Sequence, residues 1–150
     1  MDSKHNRMTK FRHDNELPES ITEWGWKYHH MGIPARKKMP SEKYLQQFRV
    51  YTSGFSSSPF GIEWMRYEKD SPVSKLIRTV PHIAFEVEDI DHELAVRDFK
   101  ILTRPNSPSE GVRVAMIEHN GAPIELIEFS SKKQRPVAGQ NKSFTHLLKP

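Results

Sequence analysis

At 150 residues the chain is long enough for one domain with a real core and too short for two well-buried ones. It has no cysteine, which excludes disulfides and thiolate metal sites, suits a reducing cytoplasm, and leaves nitrogen and oxygen as the available metal donors. No stretch approaches the roughly 20 apolar residues that cross a bilayer, and the formal charge of +4 sits at one end: residues 25 to 130 carry 14 Lys or Arg against 14 Asp or Glu, residues 131 to 150 five against none, which predicts a basic tail on a neutral domain and no nucleic-acid partner.

Residues 1 to 24 are polar and without periodicity, an irregular arm outside the core. The first strand is predicted over Trp26 to Ile33, ended by Pro34 and the basic turn Arg36, Lys37 and Lys38. A short helix is predicted from Ser41, which offers an N-cap, with Tyr44, Leu45 and Phe48 on one face. Strands over Phe48 to Phe55 and Gly61 to Tyr67 flank a serine loop, and residues 68 to 79 read as a linker. Val80 to Val87 repeats the first strand. A helix capped by Asp89 or Asp91 follows, with Ile90, Leu94, Ala95 and Phe99 as its buried stripe. Lys100 to Thr103 reads as a strand edge, and Arg104 to Gly111, with two prolines, as a loop. Val112 to Glu118 and Pro123 to Phe129 form a hairpin about Asn120-Gly121.

The chain repeats itself. His30-Met31-Gly32-Ile33 aligns with His82-Ile83-Ala84-Phe85, and Ile62-Glu63-Trp64-Met65 with Ile124-Glu125-Leu126-Ile127, Tyr67 then falling on Phe129. Two matches in the same order imply two modules, about residues 25 to 68 and 80 to 130. Alternate residues of a strand share a face, so His30 points with Gly32 and His82 with Ala84, both across small neighbours that leave room for something bound. The same parity sets Glu63 and Glu125 among apolar side chains, where an ionised carboxylate needs a compensating charge. Singly, each residue reads as a hydrogen-bonded core histidine or an exposed glutamate. Together, His30, Glu63, His82 and Glu125 read as the ligands of one divalent metal ion. His29 takes the inward place instead if the register slips by one residue.

These residues, with the terminal hairpin Gly111-Val112-Arg113-Val114-Ala115 and Pro123-Ile124-Glu125-Leu126, make the chain similar to the vicinal oxygen chelate superfamily of glyoxalases, epimerases, extradiol dioxygenases and bleomycin-resistance proteins. The resemblance covers roughly Trp26 to Ser130. It implies an α+β fold in which two βαβββ modules form a glyoxalase-like incomplete barrel, with ligands from the first and last strand of each module. His30 and Glu63 lie 33 positions apart but His82 and Glu125 lie 43 apart, so the first module is shortened by loss of its helix or part of a strand.

The function this implies is a metal-dependent isomerase or lyase acting on a small oxygenated substrate through an enolate-like intermediate, with Glu63 or Glu125 doubling as the base and Trp64, Tyr67, Asn106 and Ser107 lining the pocket. Zn, Ni, Co, Mn and Fe all suit the ligand set. The alternative is a non-catalytic, antibiotic-type binding protein of the same fold. Resemblance also implies a homodimer, while the cysteine-free composition and the lack of an apolar span lead us to expect the cytoplasm and no membrane partner.

Overall fold

A computed structural model describes residues 11–130; the first ten residues and the expected basic tail at 131–150 lie outside the described residues. Eight strands form one mixed sheet: β1 (Lys27–Pro34), β2 (Lys43–Leu45), β3 (Val50–Ser53), β4 (Ile62–Tyr67), β5 (His82–Glu86), β6 (Lys100–Ser109), β7 (Val112–His119) and β8 (Ala122–Phe129). Three short helices accompany them, α1 (Glu19–Thr22), α2 (Lys75–Thr79) and α3 (Ile90–Val96). Among the described residues no helix is long and apolar enough to cross a membrane.

The strand order β2-β3-β4-β1-β5-β8-β7-β6 displays the repeat. In each half the first strand lies parallel to the last, β1 with β4 and β5 with β8, and the other two strands extend outward as an antiparallel meander. The halves join where β1 and β5 run antiparallel at the centre of the sheet. This is an α+β half-barrel of two related modules.

The first module is short because it has lost both elements that could shrink. No α-helix lies between β1 and β2, where the second module has α3, and β2 has 3 residues against the 10 of β6. The helix expected from Ser41 does not form. Ser41 sits in the left-handed region at φ 58°, and the backbone of Lys43–Leu45 pairs instead with β3, Leu45 opposite Val50. Glu42 secures this stretch: its carboxylate accepts from Arg66 Nε and a guanidinium nitrogen at 2.9 and 2.7 Å and from the Met39 amide at 3.2 Å. Arg66 lies on the face of β4 opposite the cavity-lining Met65 and Tyr67.

The Arg66 hydrogen bonds outweigh burial and hold the Glu42 pKa at about 2, against an ordinary 4.5. A carboxylate with a depressed folded pKa contributes stability above its unfolded pKa and loses it as pH falls. Unfolding midpoints should therefore fall between pH 4.5 and about 2, and Glu42→Gln should flatten that acid limb; an unchanged limb would show that the pair does not tie the loop down.

The main core gathers Phe85, Val87, Ile90, Ala115, Ile117 and Leu126 of the second module around Trp26 of the first, with Leu94 and Phe99 against it. Asp89 caps α3, accepting from the His92 amide at 3.1 Å. Ala95, five residues on from Ile90, falls on the outer side of the helix and is exposed rather than part of the stripe; Glu93, three residues on, turns inward to accept from Trp26 Nε1 at 2.9 Å and Arg97 Nε at 2.8 Å. The N-terminal segment also departs from expectation. α1 carries Ile21 and leads to Trp24, and both pack against the core, with the Arg97 guanidinium 3.9 Å above the Trp24 ring.

Two further differences concern chain breakers. Arg104 to Gly111 is not a loop: β6 runs to Ser109 through Pro105 and Pro108, with register shifts along the way. It is an outer strand of the sheet, where a missing backbone N–H breaks no ladder bond. The linker at 68 to 79 contains α2, capped by Ser74 and carrying the buried Ile77. The Asn120-Gly121 turn is as expected, with φ 49° and 87° closing a two-residue hairpin.

Candidate metal centre

Strand register assembles the site. Across the sheet Glu63 stands beside Gly32 and Gly32 beside His82; in the second row Glu125 stands beside Ala84 and Ala84 beside His30. Each row is carboxylate, small residue, imidazole, so the repeat is also a spatial symmetry. In the first row the small residue is needed because the His82 imidazole lies across Gly32. A Cβ on Gly32 would stand 2.1 Å from His82 Cε1 and 2.5 Å from its Nε2, so the space expected there for a ligand is filled by the His82 ring.

The four side chains converge. His82 Nε2 is 3.1 Å from Glu125 Oε1, and His30 Nε2 is 3.7 Å from Glu125 Oε1 and 3.5 Å from Glu63 Oε1. Ligand atoms of His30, His82 and Glu125 all lie within 4.8 Å of one another; Glu63 stands beside this group, nearest His30. The histidines are 4% and 3% exposed, and both Nε2 atoms are buried without a hydrogen-bond partner, the 3.1 Å contact lacking hydrogen-bond geometry. An unsatisfied buried ring nitrogen is costly, and two aimed at one carboxylate are a donor set a divalent cation satisfies. The residues present therefore fit such an ion.

The two glutamates differ electrostatically. Burial pushes the Glu125 carboxyl up, but the flanking imidazoles of His30 and His82 hold it down at about 2. Glu63 is raised, because burial outweighs its one near imidazole and Glu125 repels it. For His30, burial opposes protonation, yet Glu125 and Glu63 raise its pKa. Burial, with both carboxylates, also raises the Tyr67 phenol and keeps it neutral.

His29 resolves differently from either register. A shift between Tyr28 and His30 in the β1–β5 pairing lets both histidines reach the cavity, and their Nδ1 atoms lie 2.8 Å apart, one donating to the other. Stacking on Phe55, ring centroids 5.0 Å apart, steadies the His29 ring.

The cluster opens into a cavity of about 650 Å³. Tyr67 and Asn106 line it; Trp64 and Ser107 do not. Trp64 alternates with Glu63 and Met65 and so faces the other side of β4, and Ser107 alternates with the lining residues Asn106 and Pro108. Arg104, Ile77 and the inward residues of β7 were not anticipated as lining; the alternation of Val112, Val114 and Met116 in β7 was the available signal.

No protein-family model matches the sequence, and no curated protein does. Solved structures do match. A hypothetical protein from Bacillus halodurans aligns over 69% of this chain and 94% of its own, at 20% identity and a TM-score of 0.55. Methylmalonyl-CoA epimerase from Mycobacterium tuberculosis aligns over 80% of this chain and 97% of its own, at 17% identity and the same TM-score of 0.55. The fold is glyoxalase-like. At these identities the likeness is one of fold, and the chemistry rests on the side chains above.

Proposed function

We propose that the chain is a metal-dependent isomerase or lyase of the vicinal oxygen chelate superfamily that moves a proton beside a carbonyl of a small oxygenated substrate. The observation that carries this reading is the pair of buried, hydrogen-bond-free imidazole nitrogens aimed at Glu125 at the head of a cavity. The structural likeness to a protein named as an epimerase supports the same reaction class. We also propose the cytoplasm and a homodimer as its setting, on the cysteine-free composition and the resemblance.

A divalent cation, Zn, Ni, Co, Mn or Fe, held by His30, His82 and Glu125 with Glu63 as a fourth donor, supplies Lewis acidity that makes a C–H beside a carbonyl easier to ionise. The chain's own residues then divide the work. Glu125, central and held ionised, is suited to binding charge. Glu63, at the edge of the group and near His30 alone, is less committed to the ion than Glu125 and is suited to accept a proton at a carboxylate oxygen and return it. Neutral Tyr67 offers its hydroxyl as a donor from the cavity wall.

His29 holds His30 in place. If Nε2 of His30 carries the lone pair that binds a metal, its Nδ1 carries the proton and donates it to His29 Nδ1. His29→Phe should weaken metal binding by about 10- to 100-fold, and His29→Asn, which keeps an acceptor near the same place, should restore most of it. Titration calorimetry reads both; equal affinities in all three proteins would remove His29 from the site.

A non-catalytic binding protein is the second reading, favoured by the largely aliphatic cavity. Proton exchange decides between the two. Substrate analogues carrying an α-proton should lose their NMR signal in deuterated buffer with the metal-loaded protein and retain it after chelation; binding without exchange across a broad panel would favour the second reading.

A further inference from the structure

Beyond its charged cluster the cavity is mostly apolar. At its head stand the two histidines and two glutamates. Its walls are aliphatic on both sides of the molecule: Val50 and Met65 from the first module, Ile77 from α2, and Val114, Met116 and Ile127 from the second. The second-module residues surround the site directly, Met116 paired with Glu125 and Val114 with Ile127. Thr52 and Thr103 interrupt these walls, paired with Met65 and Met116, and Gln47 Nε2 donates to Asn106 Oδ1 at 3.3 Å, joining the β2 end of the sheet to β6.

Charge is as unevenly placed as polarity. Among the described residues Arg104 is the one Lys or Arg that lines the cavity. A phosphate held within the cavity needs several cationic or amide donors around it, and among the Lys and Arg side chains Arg104 is the one that this lining offers. An apolar group gains from the same walls by leaving water. At about 650 Å³ the space belongs with pockets that enclose ligands well beyond a two- or three-carbon acid.

We infer that the substrate is an α-oxygenated carbonyl compound whose chelating end lies at the histidines and whose body is a bulky apolar group, aryl or branched alkyl, with no second charged group. The inference rests on the metal-centred reading for its chelating end and on the cavity wall for its body.

Calorimetric titration of the full chain, loaded with one equivalent of a divalent ion whose binding is first measured separately, tests it with glycolate, lactate, 2-hydroxyhexanoate and phenyllactate. Affinity should rise roughly three- to fourfold per methylene, so that phenyllactate binds at least about 50-fold tighter than glycolate. Val114→Thr, close in shape but carrying a hydroxyl, should flatten that rise, lowering phenyllactate affinity several-fold more than glycolate affinity. A flat series with the ion bound, or tighter binding of 3-phosphoglycerate or a coenzyme A thioester than of phenyllactate, overturns the inference while the metal site stands. A series that keeps its slope when no ion binds upholds the apolar body and overturns the metal-centred reading.

Discussion

Gly32→Ala should weaken divalent-metal binding by at least about 100-fold and lower the melting temperature by about 3–10 °C. A Cβ at position 32 meets the His82 ring at 2.1 Å, far inside any van der Waals contact, so the ring must leave its place across β1. Overpacking of this kind costs about 1–3 kcal/mol, which in a chain of this length is about 2–4 °C per kcal/mol. The imidazole must turn away from Glu125, so site and stability fail together. Only the loss of stability should recede in Gly32→Ala/His82→Ser, which removes the obstructing ring, while metal binding stays lost. A Gly32→Ala protein with normal stability and normal affinity would mean that His82 does not lie across β1.

Glu63→Gln and Glu125→Gln should separate the two carboxylates. Glu125 stands with both imidazoles, its oxygen 3.1 and 3.7 Å from their nitrogens. Glu63 approaches His30 alone and carries the raised pKa. Glu63→Gln is nearly isosteric, keeps an oxygen donor and removes the base; it should retain metal affinity to within a few-fold and slow α-proton exchange by about 10²- to 10⁴-fold. Glu125→Gln should lose metal affinity and exchange together, because the amide leaves the imidazoles without an anion between them. Paired measurements of affinity and exchange rate on each variant decide the matter. The reverse pattern, with exchange surviving Glu63→Gln at full rate, would move the base to Glu125.

Much of this site was legible because a strand's parity is rigid. Once His30 and His82 fall on matching strands beside Gly32 and Ala84, and Glu63 and Glu125 on matching final strands, two-residue alternation brings the same face of each strand to one place. The parts that escaped depend on neighbours far away in sequence. Ser41 caps a helix on local chemistry, yet Lys43–Leu45 finds the edge of β3. Pro105 and Pro108 break strands in general, but not on an outer strand whose free side has no ladder to lose. A single register shift after Tyr28 turned the choice between His29 and His30 into a pair. Ala95 is apolar but falls on the outer side of α3, and the helical phase set by Ile90 gives the inward place to Glu93 and its bond to Trp26.

The most direct test of the account is metal content, measured on chain purified without chelator and reconstituted with each candidate ion, alongside His82→Ala. The account predicts one ion per chain with only nitrogen and oxygen neighbours by X-ray absorption, and its loss in the variant. An ion retained at full stoichiometry in His82→Ala, or no ion bound by the unaltered chain at any concentration tested, would contradict it.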